Sequence, residues 1–145
     1  MIAVDTNVLI YTHRAETDLH AVASRKLVAL AEGATRWGLP VFCIGEFIRV
    51  VTHRRVFNPP STLSQATGFL ADVVASPSCR IVRPGRDFTG LLVDTVLQAG
   101  ARGNLVFDAQ IVALCREHGI ATILTNDRDF DRFRHLRVRY LEESR

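Results

Sequence analysis

The chain has 145 residues, 48% of them hydrophobic, and a formal net charge of +3, which fits one domain over residues 1–145 with its own core. No apolar run approaches the roughly 18 residues of a membrane-spanning helix, and the N-terminus lacks the basic and apolar segments of a secretory signal. Cys43, Cys79 and Cys115 are too widely spaced for a CxxC zinc site or a disulfide framework, so we expect a reduced protein in the cytoplasm.

Short apolar runs alternate with segments of helical periodicity along the whole chain. The apolar runs predict strands over residues 2–4, 39–43, 79–83, 120–124 and 136–141, the last at an edge of the sheet. The periodic segments predict helices ending near residues 14 and 33, covering 44–51, starting after 61 or 62, and covering 88–96 and 105–115. Thr17 or Asp18 is expected to cap the second helix, and Asn104 the last one. This alternation predicts an α/β fold with a mostly parallel sheet and helices on both faces.

The first strand runs directly into Asp5, Thr6 and Asn7, and a second apolar run follows without Gly or Pro. Asp5 therefore lies at the carboxyl end of a strand, where ligands bind in open α/β sheets. A carboxylate between Val4 and Val8 is costly to desolvate unless it is paired or bound to a cation. The same residue types also cap helices, so this segment alone leaves a ligand site and a helix cap equally open.

The helix over 44–51 has an apolar stripe on one side, and Glu46, Arg49 and His53 lie on the other. Periodicity does not place Glu46 in the core, and an acid in the first turn is also favoured by the helix dipole. The basic loop 53–60 follows. Its Phe57, beside two arginines, suits either base stacking or a plug of hydrophobic surface, and we favour the plug.

Asp108 lies within the predicted helix over 105–115. Ile111, Val112 and Cys115 follow it by three, four and seven positions, so they share its face of the helix. This face is the apolar one, which predicts a carboxylate in the middle of a buried stripe. Buried acids are rare unless paired or metal-bound, although an arginine or backbone amides would also satisfy one.

The strand over 120–124 repeats the pattern of the first strand, because it runs into Thr125, Asn126 and Asp127, with Asp129 close behind. In a parallel sheet we expect these acids to gather at the same edge as Asp5, near Glu46 and Asp108. Crowded carboxylates raise each other's pKa, and a hard divalent cation such as Mg²⁺ or Mn²⁺ removes that conflict. Such a cation suits a phosphate-bearing substrate, since it activates water and neutralises charge as a phosphodiester is cleaved.

The order of these segments resembles the PIN-domain nucleases. The resemblance is carried by Asp5-Thr6-Asn7 after a strand, Glu46 at a helix start, Asp108 in a helix and Thr125-Asn126-Asp127 after a late strand. It covers essentially the whole chain and is strongest to the VapC-type toxins of bacterial toxin–antitoxin pairs.

This resemblance implies a three-layer α/β/α sandwich, Mg²⁺- or Mn²⁺-dependent endoribonuclease activity, a homodimer, and a cognate VapB-type antitoxin that blocks the site. It also implies that Asp5 and Asp108 are the principal metal ligands, with Glu46 and Asp127 as the second pair of acids. Asn7 and Thr125 would shape the pocket by hydrogen bonding, and Asp129 could share the role of Asp127.

Arginine supplies 17 of the 18 basic residues, and its guanidinium suits bidentate contact with phosphate, although genome composition explains such a bias equally well. With the family in view, the helix side that carries Glu46 and Arg49 resembles a wall of a substrate groove. Arg54, Arg55 and Arg102 are hypothetical further contacts with RNA phosphates.

Two other classes also place acids at strand ends. A phospho-aspartyl receiver or a haloacid-dehalogenase-like phosphatase normally needs a lysine near the phosphate, and the only lysine here is Lys26, far from the acids. The phosphatases also need a second aspartate where this chain has Asn7. A non-catalytic RNA-binding module, whose acids hold a structural ion, is the remaining alternative.

Overall fold

The computed structural model describes residues 1–142. Five parallel strands form one sheet in the order β3-β2-β1-β4-β5. The strands are β1 (Ile2–Val4), β2 (Trp37–Pro40), β3 (Cys79–Val82), β4 (Thr122–Thr125) and β5 (Arg137–Tyr140). The α/β prediction with a parallel sheet is confirmed, and this order differs from the 2-1-3-4-5 order of receiver domains.

Six α-helices cover the sheet in a three-layer α/β/α arrangement. They are α1 (Thr6–His13), α2 (His20–Glu32), α3 (Val41–Val51), α4 (Leu63–Ala75), α5 (Phe88–Ala99) and α6 (Leu105–Glu117). Helix α1 contacts α2 and α3, α3 contacts α4, and α5 packs against α6. A short 3₁₀ helix, Arg128–Arg132, follows β4. No helix within residues 1–142 is both long enough and apolar enough to cross a membrane.

The predicted second strand, 39–43, is wrong in position, because β2 starts at Trp37 and ends at Pro40. Residues 41–43 belong instead to the first turn of α3. A short apolar run fits a buried strand and a buried helix equally well, so periodicity could not separate them. Within β2, position 38 favours glycine, because a Cβ there would lie 2.9 Å from Val82 Cγ2.

Smaller differences concern helix ends and the fourth strand. Leu19 occupies the cap position of α2 without a side-chain hydrogen bond, and Asn104 likewise caps α6 without one. Thr62 does cap α4 as predicted, and together with Gln65 it forms a capping box. Strand β4 begins two residues later than expected.

Candidate active site

Strands β1 and β4 are neighbours at the centre of the sheet, and their carboxyl ends bring two distant segments together. Val4 pairs with Leu124 in the parallel register, and the Asp5 amide donates to the Leu124 carbonyl at 3.0 Å. The next residues along the two chains, Asp5 and Thr125, therefore meet at the same edge. This is the location that the sequence predicts for them.

The Asp5 carboxylate is 6% exposed and accepts three hydrogen bonds. Its Oδ1 accepts from the Thr6 amide at 2.8 Å, so Asp5 does cap α1. Its Oδ2 accepts from Asn7 Nδ2 at 3.0 Å and from the Thr125 hydroxyl at 2.8 Å. Burial outweighs these bonds and, with nearby acids, raises the pKa of Asp5 to about 7. The two interpretations of Asp5 are thus compatible, because one oxygen caps the helix while the side chain also borders a cavity.

Thr125 and Asn7 join the two strand ends. The Thr125 hydroxyl donates to Asp5 and accepts from Asn7 Nδ2 and from the Asp127 amide, both at 3.0 Å. Asn7 Oδ1 in turn accepts from the Asn126 amide at 3.2 Å. Thr125 is fully buried, so this network orients the loop that carries Asp127 relative to Asp5.

Replacement of the Thr125 hydroxyl by a methyl group (Thr125→Val) should lower the free energy of unfolding by about 1–3 kcal/mol. The side chain keeps its size, but Asn7 and the Asp127 amide each lose an acceptor and Asp5 loses a donor. Urea denaturation measures the change. Thr122→Val, at the half-buried start of the same strand, is the matched control. Equal losses of stability in the two variants would contradict the role given to this hydroxyl.

Three further carboxylates converge beside Asp5. One oxygen each of Asp108, Asp127 and Asp129 lies within 4.8 Å of the other two. Asp127 also caps the 3₁₀ helix, because its Oδ1 accepts from the Asp129 backbone amide at 2.9 Å, and this bond fixes the Asp127 side chain at the start of that helix. Glu46 is half-buried on α3 and borders the same space.

Asp108 lies in the first turn of α6, at the N-terminal end of the apolar stripe rather than in its middle. Ile111, Val112 and Cys115 are buried as predicted, whereas Asp108 itself is only half-buried. Burial raises the pKa of Asp108 to about 7, with further contributions from Asp5 and the other acids. The ion pairs found within residues 1–142 do not include Asp108 or Asp5, so an arginine does not neutralise either of them there.

The acids border two adjoining depressions in the surface. The larger is a groove of about 700 Å³, and the smaller, of about 550 Å³, contains Asp5 and Asn7. Glu46, Asp108 and Asp127 line both. The donors are all carboxylate oxygens. Burial, with smaller contributions from neighbouring acids, raises the pKa of Asp5 and Asp108, and a divalent cation would favour their ionised forms. The residues present therefore fit Mg²⁺ or Mn²⁺.

The structure separates the predicted RNA-contacting arginines. Arg49 lines the larger groove beside Glu46. Arg54 and Arg55 are exposed in the loop after α3, and Arg102 is exposed before α6; these three line neither depression. Phe57 packs against the core under the Arg14 guanidinium, 4.5 Å from its ring centre, which supports its interpretation as a plug.

Sequence reasoning missed several residues that border the acids. Among them, Tyr11 and Arg128 line the smaller depression, and Phe107 lines the larger groove. Burial and the neighbouring carboxylates of Asp127 and Asp5 raise the pKa of Tyr11. The position of Phe107 next to Asp108 was the available signal, but the exposure of an aromatic residue cannot be read from helical periodicity.

The only lysine does not approach these acids. Lys26 lies on α2, and its Nζ donates to the Tyr140 carbonyl at 3.3 Å, at the β5 edge of the sheet. The lysine that a phospho-aspartyl site needs is therefore absent from the described residues around Asp5.

Comparison with known proteins agrees with this geometry. The family model described as PIN domain matches residues 2–136. Ribonuclease VapC43 of Mycobacterium tuberculosis is 39% identical over 140 residues, covering 97% of this chain and 95% of the relative. The chain belongs to the PIN-domain family. Within it, the chain falls in the VapC group, since Ribonuclease VapC37 of the same organism is also 34% identical over 134 residues, covering 92% of each chain.

Solved structures of VapBC and VapC proteins contain chains with the same fold. The structure of VapBC2 from Rickettsia felis bound to a DNA fragment from its promoter contains a chain that superposes with a TM-score of 0.69 at 19% identity, covering 97% of this chain and 98% of that one. Mycobacterium tuberculosis VapC20, described as a sarcin-ricin loop cleaving toxin, superposes with a TM-score of 0.68 at 21% identity, covering 94% of this chain and 99% of that one. The three-layer sandwich expected of a PIN domain is thereby confirmed.

Proposed function

We propose that this PIN domain is a metal-dependent endoribonuclease and the toxin of a VapC-type toxin–antitoxin pair. The observation that carries the proposal is the convergence of Asp108, Asp127 and Asp129 beside Asp5 and Glu46 in an open groove. Relatives with 34–39% identity are named as VapC ribonucleases, which supports RNA as the substrate class.

In this proposal Asp5, Glu46, Asp108 and Asp127 are the catalytic acids that hold Mg²⁺ or Mn²⁺, and Asp129 shares the position of Asp127. When bound, the cation supplies an activated water and neutralises the charge that develops on the phosphodiester. Asn7 and Thr125 support the site by fixing Asp5 against the loop that carries Asp127.

Basic residues near the acids would allow RNA to bind in the groove. Acids without a cation repel phosphate, so binding requires the positive charge at the site and on its rim. Of the four arginines that the sequence predicts as RNA contacts, Arg49, in the groove wall, is the one located to contact the phosphate backbone near the acids. Arg54, Arg55 and Arg102 remain proposed contacts with more distant phosphates.

The matching solved structures also indicate a protein partner for this chain. Three of the matching solved structures are described as VapBC complexes, which supports a VapB-type antitoxin as the partner of this chain. We also propose a homodimer. In this scheme the antitoxin neutralises the toxin, whose unopposed RNA cleavage inhibits growth or translation.

The direct test is incubation of the purified chain with total RNA in the presence of Mg²⁺, followed by sequencing of the new 5′ ends. We expect cleavage at discrete positions, with a yield that increases with enzyme concentration and incubation time. Intact RNA at high enzyme concentration, with RNA still bound in a salt-dependent manner, would support the non-catalytic binding module instead.

A further inference from the structure

Phe107 differs from its neighbours in the first turn of α6. Leu105 and Val106 are half-buried and pack against the hydrophobic core, whereas the Phe107 side chain is 61% exposed and is not part of that packing. Within residues 1–142, the ring contacts and cation–π contacts do not include Phe107. Stability of the fold therefore does not explain a large aromatic side chain at this position.

The location of Phe107 is also distinct among exposed apolar residues. Other large exposed apolar side chains in the described residues, such as Leu97 and Val93 on α5, border neither depression. Phe107 lines the larger groove together with Glu46, Asp108, Asp127 and Asp129. An exposed ring thus lines the same groove as the clustered acids.

We propose that Phe107 is a stacking platform for a nucleobase of the RNA next to the cleaved phosphodiester, an inference that rests on the proposed ribonuclease function. Phe107 and Asp108 are consecutive residues of α6 and both line the larger groove, so the ring borders the space that the acids surround. A phosphodiester held at the acids would bring one of its two flanking bases to the ring.

The chemistry of the groove favours a nucleobase as the occupant. A flat apolar ring offers stacking to any base, because every base has a π face, and such sites commonly combine aromatic rings with arginine. Arg49 lines the same groove and offers a charge for the adjoining phosphate. Phe107 would thereby position the strand without reading its sequence by hydrogen bonds.

The test compares cleavage of a short single-stranded RNA by Phe107→Ala, Phe107→Leu and Phe107→Tyr. The alanine variant should lower kcat/KM by roughly fivefold to 150-fold, the range that stacking of one base typically contributes. Tyrosine should retain most of the activity because it stacks, whereas leucine should behave like alanine because it is apolar but not planar. Leu97→Ala, 75% exposed on α5 outside the groove, is the matched control and should leave kcat/KM unchanged.

Abasic substitution along the same RNA identifies the stacked base. At one position next to the cleaved bond, removal of the base should slow the wild type by about the same factor as Phe107→Ala, and it should add no further loss in the alanine variant. In the variant Phe107→Trp, binding of the intact RNA should quench the fluorescence of the added indole. The single native tryptophan, Trp37, is fully buried and gives a constant background fluorescence.

Two results would overturn this inference while leaving the ribonuclease proposal intact. One is full activity of Phe107→Ala on every RNA. The other is equal activity of the leucine and tyrosine variants, which would indicate a generic apolar contact. Weaker binding of an antitoxin with unchanged RNA cleavage would assign Phe107 to the protein partner instead. Absence of cleavage by the wild type would reject the function itself.

Discussion

Replacement of Asp108 by asparagine (Asp108→Asn) should lower the rate of RNA cleavage by about a hundredfold to a thousandfold, since loss of even one electrostatic stabiliser typically costs about 10² to 10³ in rate. Asp108 shares its cluster with Asp127 and Asp129 and lines both depressions. The substitution keeps the shape of the side chain but removes the negative charge that holds the cation. Gel-resolved cleavage of a defined RNA under single-turnover conditions measures the effect.

Asp108 is a better position for this test than Asp5. Asp5 accepts hydrogen bonds from Thr6, Asn7 and Thr125, so an amide there would disturb the surrounding loops as well as the charge. The matched control is Asp72→Asn, at an exposed position on α4, which removes the same charge away from the groove. Comparable cleavage by the Asp72 and Asp108 variants would rule out the proposed role.

Thermal unfolding shows whether the Asp108 variant is folded. The pKa of Asp108 in the folded chain, about 7, is above its usual value, so ionisation of this carboxyl destabilises the metal-free fold. The wild type loses this part of its stability as the pH rises from about 4 to about 7, because the Asp108 carboxyl ionises at a lower pH in the unfolded chain than in the folded chain. At pH 8 Asp108→Asn should therefore unfold at the same or a higher temperature than the wild type, and the difference should shrink toward pH 4.

Removal of divalent cations by EDTA should abolish cleavage, a loss of about a thousandfold or more, and addition of Mg²⁺ or Mn²⁺ should restore it. Without a cation, the acids in the groove present only negative charge to the RNA phosphates. The clustered oxygens of Asp108, Asp127 and Asp129 match the hard oxygen donors that both ions prefer.

EDTA saturated with Mg²⁺ is the control and should leave the rate unchanged, because it contains the same chelator but removes no metal. Added Mg²⁺ or Mn²⁺ should also raise the melting temperature of the wild type, because the ion binds the folded chain. The same addition should raise the melting temperature of Asp108→Asn much less. Sustained cleavage in excess EDTA would contradict a metal-dependent mechanism at this site.

Local sequence patterns were sufficient for the class of fold and for several site residues. Asp5 and Thr125 follow buried strands, and parallel strands end at a common edge, so their approach follows from the order of elements along the chain. The stripe of Ile111, Val112 and Cys115 similarly indicated which face of α6 carries Asp108. These inferences hold because side-chain direction is periodic within each helix or strand.

The remaining features depend on how separate elements pack. The boundary between β2 and α3 is determined by burial against β1 and β3, and the apolar run 39–43 carries no signal for it. Asp129 lies in one cluster with Asp108 and Asp127, in a 3₁₀ helix that the Asp127 side chain caps. Phe107 is exposed because Leu105 and Val106, its neighbours in α6, pack against the core while its own ring does not. Strand order and helix packing determine the distances between side chains on different elements. The periodicity of a single segment carries no information about those distances.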